Sequence, residues 1–359
     1  LIAQSIGGGG GFTSQSALSM RLGMEGVLGN AGDVSVENQG TIVTLGDRAA
    51  GVIAQSIGAG GGTAASAHGS LFLGADNAQG DAGDVTIQNT NASIQTAGTY
   101  SIGVVAQSVG GGGGRVGLST SSSDTTTLGS RASDGDGGSV TINNAGGSIS
   151  TGGAYAPGYL MQSIGGGGGL VNIAQGSVPL GSISSSGEQL GGAVDFFNDS
   201  IVQTTGAGSA GVIAQSIGGG GGASTLVRSE AAGLLESLRL GAISSSNSSS
   251  GGSLSFSNTG RIMTSGDASP GLVAQSIGGG GGSIQALGRV SIRRLRLGSK
   301  KATNASAGSL MLSPIQGVIA TSGDRSAAAV IQSVGGGGGW ALVDSDTSST
   351  LGSTNLKSG

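Results

Sequence analysis

The sequence predicts an all-β chain: a parallel β-solenoid, or β-helix, built from repeats of about 51–60 residues with stacked Gly-rich segments. Three observations lead there. The motif Gln-Ser-(Ile/Val)-Gly returns seven times, at Gln4, Gln55, Gln107, Gln162, Gln215, Gln275 and Gln332, at nearly regular intervals. Each copy runs into five small residues, all Gly except Ala59. Upstream of each Gln, apolar and polar residues alternate with period two, as in half-buried strands, and helical periodicity is almost absent.

One part of each repeat is rigid. A Thr precedes each later Gln at one fixed distance: Thr44, Thr96, Thr151, Thr204, Thr264 and Thr321. An apolar pair (Val34/Val36, Val85/Ile87, Val140/Ile142, Val194/Phe196, Leu254/Phe256, Leu310/Leu312) precedes the same Gln at a spacing constant to a single position. The distance from each Gln to the next pair varies more widely. It is shortest from Gln4 to Val34 and from Gln55 to Val85, and longest from Gln215 to Leu254. Constant spacing implies that each residue stacks on its counterpart; variable spacing implies a loop or flap whose length the stack tolerates. The whole chain, 1–359, therefore reads as a single repeat array. Its approximate units are 12–62, 63–114, 115–169, 170–222, 223–282 and 283–339, with partial units 1–11 and 340–359. Partial units at both ends suggest a stretch of a longer array.

The elements follow in order. Val34–Asn38 alternates apolar and polar and predicts a first strand; 42–44 predicts a second and Val52–Ile57 a third. Gly and Asn/Asp between them supply corners, giving a coil of roughly 20 to 25 residues. Asn ends the first strand at Asn38, Asn89, Asn144, Asn198 and Asn258. It tolerates the left-handed conformation of a sharp corner, and its amide can hydrogen-bond the copies above and below. Pro314 stands there in the last unit and is expected to end the ladder. The third strand is apolar on both faces, so something covers its outer side. The expected cover is a fourth strand in the variable segment, packed as a second layer or forming a wider second coil, and ending in Leu/Met-x-Leu-Gly, as in Met20–Gly23, Leu71–Gly74, Leu238–Gly241 and Leu295–Gly298. The one helix candidate is 230–238, weakened by Gly233.

Composition narrows the function classes. Gly makes up 79 of 359 residues, roughly three times ordinary usage. Collagen is excluded, with Pro at 4 and no Gly at every third position. Charge-driven disorder is excluded by 36% hydrophobic residues and a net charge of −4. With Cys at 0 there is no disulfide framework and no Cys-based zinc site. The negative balance argues against general nucleic-acid binding. No apolar run reaches the length of a transmembrane helix. Of the 79 Gly, 34 lie in the seven runs, so glycine is positional here rather than low-complexity filler.

No chemistry repeats with the motif. A phosphate loop needs Lys-Ser/Thr after its Gly and then a helix, and none of the runs has them. Stacked backbone, as flat strands or polyglycine-like rods, explains the runs better. The motif Ser occurs seven times, whereas the single His is His68, so one triad cannot account for the Ser. Asp33, Asp84, Asp47, Asp267 and Asp324 follow Gly but lack the nonapeptide spacing of calcium-binding rolls. No cofactor or metal is implied, and aromatics are too few for an aromatic-lined sugar cleft. One basic cluster stands out: Arg289, Arg293, Arg294, Arg296, Lys300 and Lys301. It is a candidate polyanion contact, or a solvated edge that discourages strand pairing.

The strand-corner-strand coil with Asn corners resembles the parallel β-helix passengers of type V secreted bacterial surface proteins. More narrowly, Val52-Ile53-Ala54-Gln55-Ser56-Ile57-Gly58 and its copies resemble the Gly-rich repeats of very large autotransporters. That resemblance spans the whole chain and implies export to the Gram-negative cell surface. Family members carry an N-terminal signal and a C-terminal β-barrel, neither of which is present in these residues. The expectation is a non-enzymatic extracellular structural protein: a shaft or fibre body of a surface adhesin, with the Asn and Gln residues as structural ladders. Self-association into filaments is one expected partnership. The alternative is an adhesive module that binds a cell-surface or matrix ligand through the variable segments.

Overall fold

Strands of successive units pair side by side, parallel and in chain order, in four long sheets. The computed structural model describes the chain except for residues 15–18, 27, 78, 120–124, 131–133, 174, 182–183, 186, 227–234, 242–243, 246–248, 288–291, 299–303, 344–348 and 352–359. Among the described residues every element is a strand. The architecture is all-β and consistent with a β-solenoid.

The first sheet holds the Gln motif, in Ile2–Ile6, Val52–Ile57, Val104–Val109, Tyr159–Ile164, Val212–Ile217, Leu272–Ile277 and Ala329–Val334. Its register sets Gln on Gln and Ser on Ser throughout. The second, a Gly sheet, begins inside each Gly run, as in Gly61–Ala64 and Gly221–Leu226. The third, a Leu sheet, contains Met20–Leu22, Leu71–Leu73, Leu235–Leu240 and Leu295–Leu297. The fourth, an Asn sheet, contains the return strands, such as Val34–Asn38 and Val85–Thr96.

Side-chain alternation stacks these sheets in the order Asn, Gln, Gly, Leu. Val52 and Ala54 face Val34, Val36 and Ile87 of the Asn sheet in one core. Ile53, Val105 and Leu160, on the opposite face of the Gln sheet, meet Leu170 and Ala223 of the Gly sheet. Ala64, Val116 and Val171, on the far side of the Gly sheet, meet Leu71, Leu73 and Leu128. The two inner sheets are therefore covered on both faces, and their strands read as nearly unbroken small and apolar residues.

Four features differ from the sequence reading. First, a coil is the whole unit rather than the shorter three-strand turn, because each unit contributes one layer to every sheet. At ~4.8 Å per layer the six intervals span about 30 Å. Second, the Gly run and the residues after it form the cover of the Gln sheet. The Leu-x-Leu strands lie one layer further out, because the Gly strand needs an apolar partner on its other face. Third, Asn89, Asn144 and Asn198 lie inside continuous strands and not at left-handed corners. They sit at inward positions of the alternation, so their amides are buried. Fourth, Leu235–Leu240 is a strand with Leu238 and Leu240 turned into the core, which replaces the helix over its described part.

Candidate functional site

The most ordered feature of the molecule is a set of buried polar columns running along its axis. In the central one, each Gln Nε2 donates to the Oε1 of the next Gln. The bonds run from Gln4 through Gln55, Gln107, Gln162, Gln215 and Gln275 to Gln332, at 2.5–2.8 Å. Gln55 to Gln275 are fully buried. A buried amide with no partner costs about 1–3 kcal/mol, so the column excludes other residue types at this register.

The motif Ser performs a second repeated task. Ser56 Oγ donates to the carbonyl of Gly32 at 2.9 Å and accepts the N–H of Gly83 at 2.8 Å. Ser108, Ser163, Ser216 and Ser276 make the same two bonds to their own flanking Gly residues. Each hydroxyl thus clips the start of one Asn-sheet strand to the start of the next. His68 is elsewhere, with its Nε2 3.3 Å from Ser66 Oγ on the surface.

The constant Thr-to-Gln distance also has a local cause. Thr44, Thr96, Thr151, Thr204, Thr264 and Thr321 each donate Oγ1 to the carbonyl five residues on, at 2.5–2.8 Å. That bond closes the turn into the Gln strand and holds its length. Where the fifth residue is Ser, its hydroxyl also reaches the previous coil, as Ser209 does to the carbonyl of Gly153 at 2.9 Å. These Thr and Ser roles are invisible as chemistry in the sequence; only the invariant spacing signals them.

The Asn column is interrupted. Asn38 donates to Asn89 at 3.4 Å, Asn144 to Asn198 at 2.7 Å, and Asn198 to Asn258 at 2.7 Å. Between Asn89 and Asn144 the ladder is replaced by a bond from Asn89 to the hydroxyl of Tyr159, at 3.3 Å. Tyr159 takes the place of Val104 and Val212 in the Gln sheet, and its length carries the phenol into the Asn column. Burial there pushes the phenol well above its ordinary pKa. At the far end Asn258 turns to the backbone carbonyls of Gly260 and Val318, and the strand bearing Pro314 shifts register opposite it.

The Asp residues act as backbone acceptors. Asp33 Oδ1 takes the N–H of Asp84, Asp84 that of Ser139, Asp47 that of Thr99 and Asp267 that of Asp324, at 2.7–2.9 Å. Among the described residues no group of three or more His, Asp or Glu is placed to hold a metal ion. Asp136 faces Asp81, Asp134 and Glu188; burial, followed by these charges, raises its carboxyl pKa.

Two buried cations emerge from the packing. Arg115 lies in the Gly sheet between Thr63 and Leu170, 1% exposed, with Nη2 3.4 Å from the carbonyl of Tyr100 and Nε unpartnered. Burial pushes its guanidinium down to about 10. Arg239 lies on the outward face of the Leu sheet, in register with Arg296. Its Nε donates to Gly241 O at 3.0 Å, and its Nη2 is buried with no hydrogen-bond partner among the described residues. Burial first, then Arg296, push it down to about 10. Within the candidate basic cluster, Arg293 pairs with Glu236 at 3.2 Å, Arg294 is exposed and Arg296 joins Arg239. Arg289, Lys300 and Lys301 lie outside the described residues. Arg239 belongs with the cluster although it is distant in sequence. The signal is its identical place in Leu238-Arg239-Leu240-Gly241 and Leu295-Arg296-Leu297-Gly298.

No described helix is long and apolar enough to cross a membrane. Comparison with known proteins finds no matching family model, no matching curated protein and no matching solved structure.

Proposed function

We propose that this chain is a stretch of an extracellular structural shaft. In this reading it is a β-solenoid of long repeats, borne on a bacterial cell surface like the Gly-rich passenger regions of large autotransporters. The observation that carries the reading is the axial repetition of buried Gln–Gln bonds and Ser clips. Such columns place the specific chemistry of the motif between coils, where it holds layers together. Stability in such an array is a sum over neighbouring layers and rises with their number. The motif Ser is a clip on this reading, and no catalytic role is assigned to it.

Removing one internal unit, residues 115–169, is expected to shorten the particle by ~4.8 Å in small-angle scattering while the fold survives. A collapse of the whole array, or an unchanged length, contradicts one layer per unit. Surface display is tested separately, by protease accessibility of the repeats on intact Gram-negative cells. Filament assembly predicts regular fibres from the purified protein, and monodisperse short rods count against it. A second reading, an adhesive module, is favoured by one observation: the outward Arg239–Arg296 pair.

A further inference from the structure

The Asn sheet is outermost, and its outward positions change character along the stack. Thr86, Gln88, Thr141 and Asn143 are polar. The strand Val194–Thr204 instead turns Asp195, Phe197, Asp199 and Ile201 outward, in strict alternation with buried residues. Phe197 is 38% exposed and Ile201 42%, in the middle of the sheet and not at its end. On the following strands, Leu254–Asn258 and Arg261–Thr264, the residues in register with Asp195, Phe197 and Ile201 are Ser255, Ser257 and Arg261. Arg261 is exposed, and among the described residues its guanidinium reaches only Met263 Sδ, at 3.7 Å. Asp199 Oδ1 accepts from Thr259 Oγ1 at 3.0 Å. Charge is also divided along the stack. Residues 1–222 hold 13 of the 19 acidic and 4 of the 15 basic residues, a net of −9. Residues 223–359 hold the other 6 and 11, a net of +5. Chain order is layer order, so these two parts follow one another along the axis.

We propose that two copies of this chain pack Asn sheet against Asn sheet with their axes antiparallel. A parallel pair sets like-charged parts side by side; an antiparallel pair sets the negative part of each copy beside the positive part of the other. The twofold axis runs along the strand direction, between Val194–Thr204 and the next layer. An axis placed on either layer would lay Asp195 and Asp199, or Arg261, over their own counterparts. Between the layers, Phe197 of each copy lies over the small Ser257 of the other. Arg261 then lies over Ile201, with Asp199 two residues along. Same-face neighbours on a strand are ~7 Å apart, within reach of an Arg side chain. Two Arg261–Asp199 pairs thus flank two Phe197 rings. Such an isologous contact closes as a dimer and does not propagate into a fibre. Four overlapping layers of 11 residues cover roughly 700 Å² of each copy, close to the ~800 Å² per partner of a standard interface. These side faces exist whatever adjoins the chain at either end, and the inference stands independently of the shaft reading.

The experiment measures the mass of the full chain in solution by sedimentation, over a range of protein concentrations and at two salt concentrations. The expected result is a monomer–dimer equilibrium that weakens as salt rises, because the complementary charges are exposed and screened. Phe197→Ser and Arg261→Asp should each weaken the dimer about ten-fold or more. Asp199→Arg should do the same, and the double variant Arg261→Asp with Asp199→Arg should recover most of the loss. Arg294→Gln, which removes a charge beside the Leu sheet, should leave the dimer unchanged. The chain has no Cys, so a nitroxide on Gln88→Cys reports orientation. Its distance to the same label on the other copy should be about 25 Å in an antiparallel pair and about 10 Å in a parallel one. A monomer at both salt concentrations, association that survives Phe197→Ser, a charge swap that does not rescue, equal loss in Arg294→Gln, or the short label distance would each overturn the proposal. If Phe197→Ser does not fold, the charge swap carries the same test.

Discussion

At the residue scale, the fold rests on side chains that have one partner above and one below. Gln162 shows what this implies. It accepts from Gln107 and donates to Gln215, both fully buried. Gln162→Leu keeps the volume and strands one donor and one acceptor, so it should destabilise by about 2–5 kcal/mol in denaturant unfolding. A loss under about 1 kcal/mol would show that the amides find other partners. Arg115 makes the opposite case. It is a buried charge with no carboxylate partner among the described residues, flanked in its column by Thr63 and Leu170. Arg115→Leu extends the apolar column and should stabilise by about 1–4 kcal/mol, net of the bond lost at the Tyr100 carbonyl. Destabilisation would mean that the guanidinium is better compensated than its contacts indicate.

At the element scale, the Gly sheet is the unusual component. The fourth and fifth Gly of each run lie in strands with φ near +135, a region open to Gly alone. They pair directly, as in Gly168 with Gly221 and Gly221 with Gly281. A Cβ on Gly221 would lie 1.9 Å from the carbonyl oxygen of Gly281, and one on Gly222 would lie 2.0 Å from that of Gly169. The second position of the run is different, for Ala59 already occupies it at φ 60. Gly221→Ala should therefore cost about 3 kcal/mol or more, and Gly219→Ala distinctly less, in paired thermal melts. Equal losses would place the constraint in the turn and not in the strand pairing. The strands Val34–Asn38 and Val52–Ile57 are legible in the sequence because alternation reports a buried face. A Gly strand has no side chains to alternate, so its pairing is legible only as the constant length of the run. The sequence misplaces Asn at a corner for a related reason. An inward amide and a turn amide have the same letter, and only the neighbouring Tyr159 and Asn198 reveal which it is.

At the scale of the whole molecule, the layered stack sets the response to alkali. All three tyrosines, Tyr100, Tyr155 and Tyr159, are held above the usual tyrosine pKa of about 10, chiefly by burial. The folded chain keeps these protons where the unfolded chain releases them. Their contribution is therefore full below about pH 10 and is lost as pH rises beyond it. Tyrosinate absorbance should stay silent at about pH 10 in buffer and appear in denaturant; tyrosinate signal in the folded chain would contradict the burial. Arg115 acts in the other direction, because it loses its proton in the folded state near pH 10 and its cost then falls. Arg115→Leu should consequently lose stability more steeply above about pH 10 than the wild type. What the sequence determined by itself was the period, the strand-forming segments and the residues that recur in register, because invariant spacing and alternation are one-dimensional consequences of stacking. The tertiary structure decided the order of the four sheets, the face each polar residue presents and the meeting of Arg239 with Arg296. Those depend on which surfaces are left to bury once the strands have paired, and residues a full unit apart become neighbours only when a complete coil closes between them.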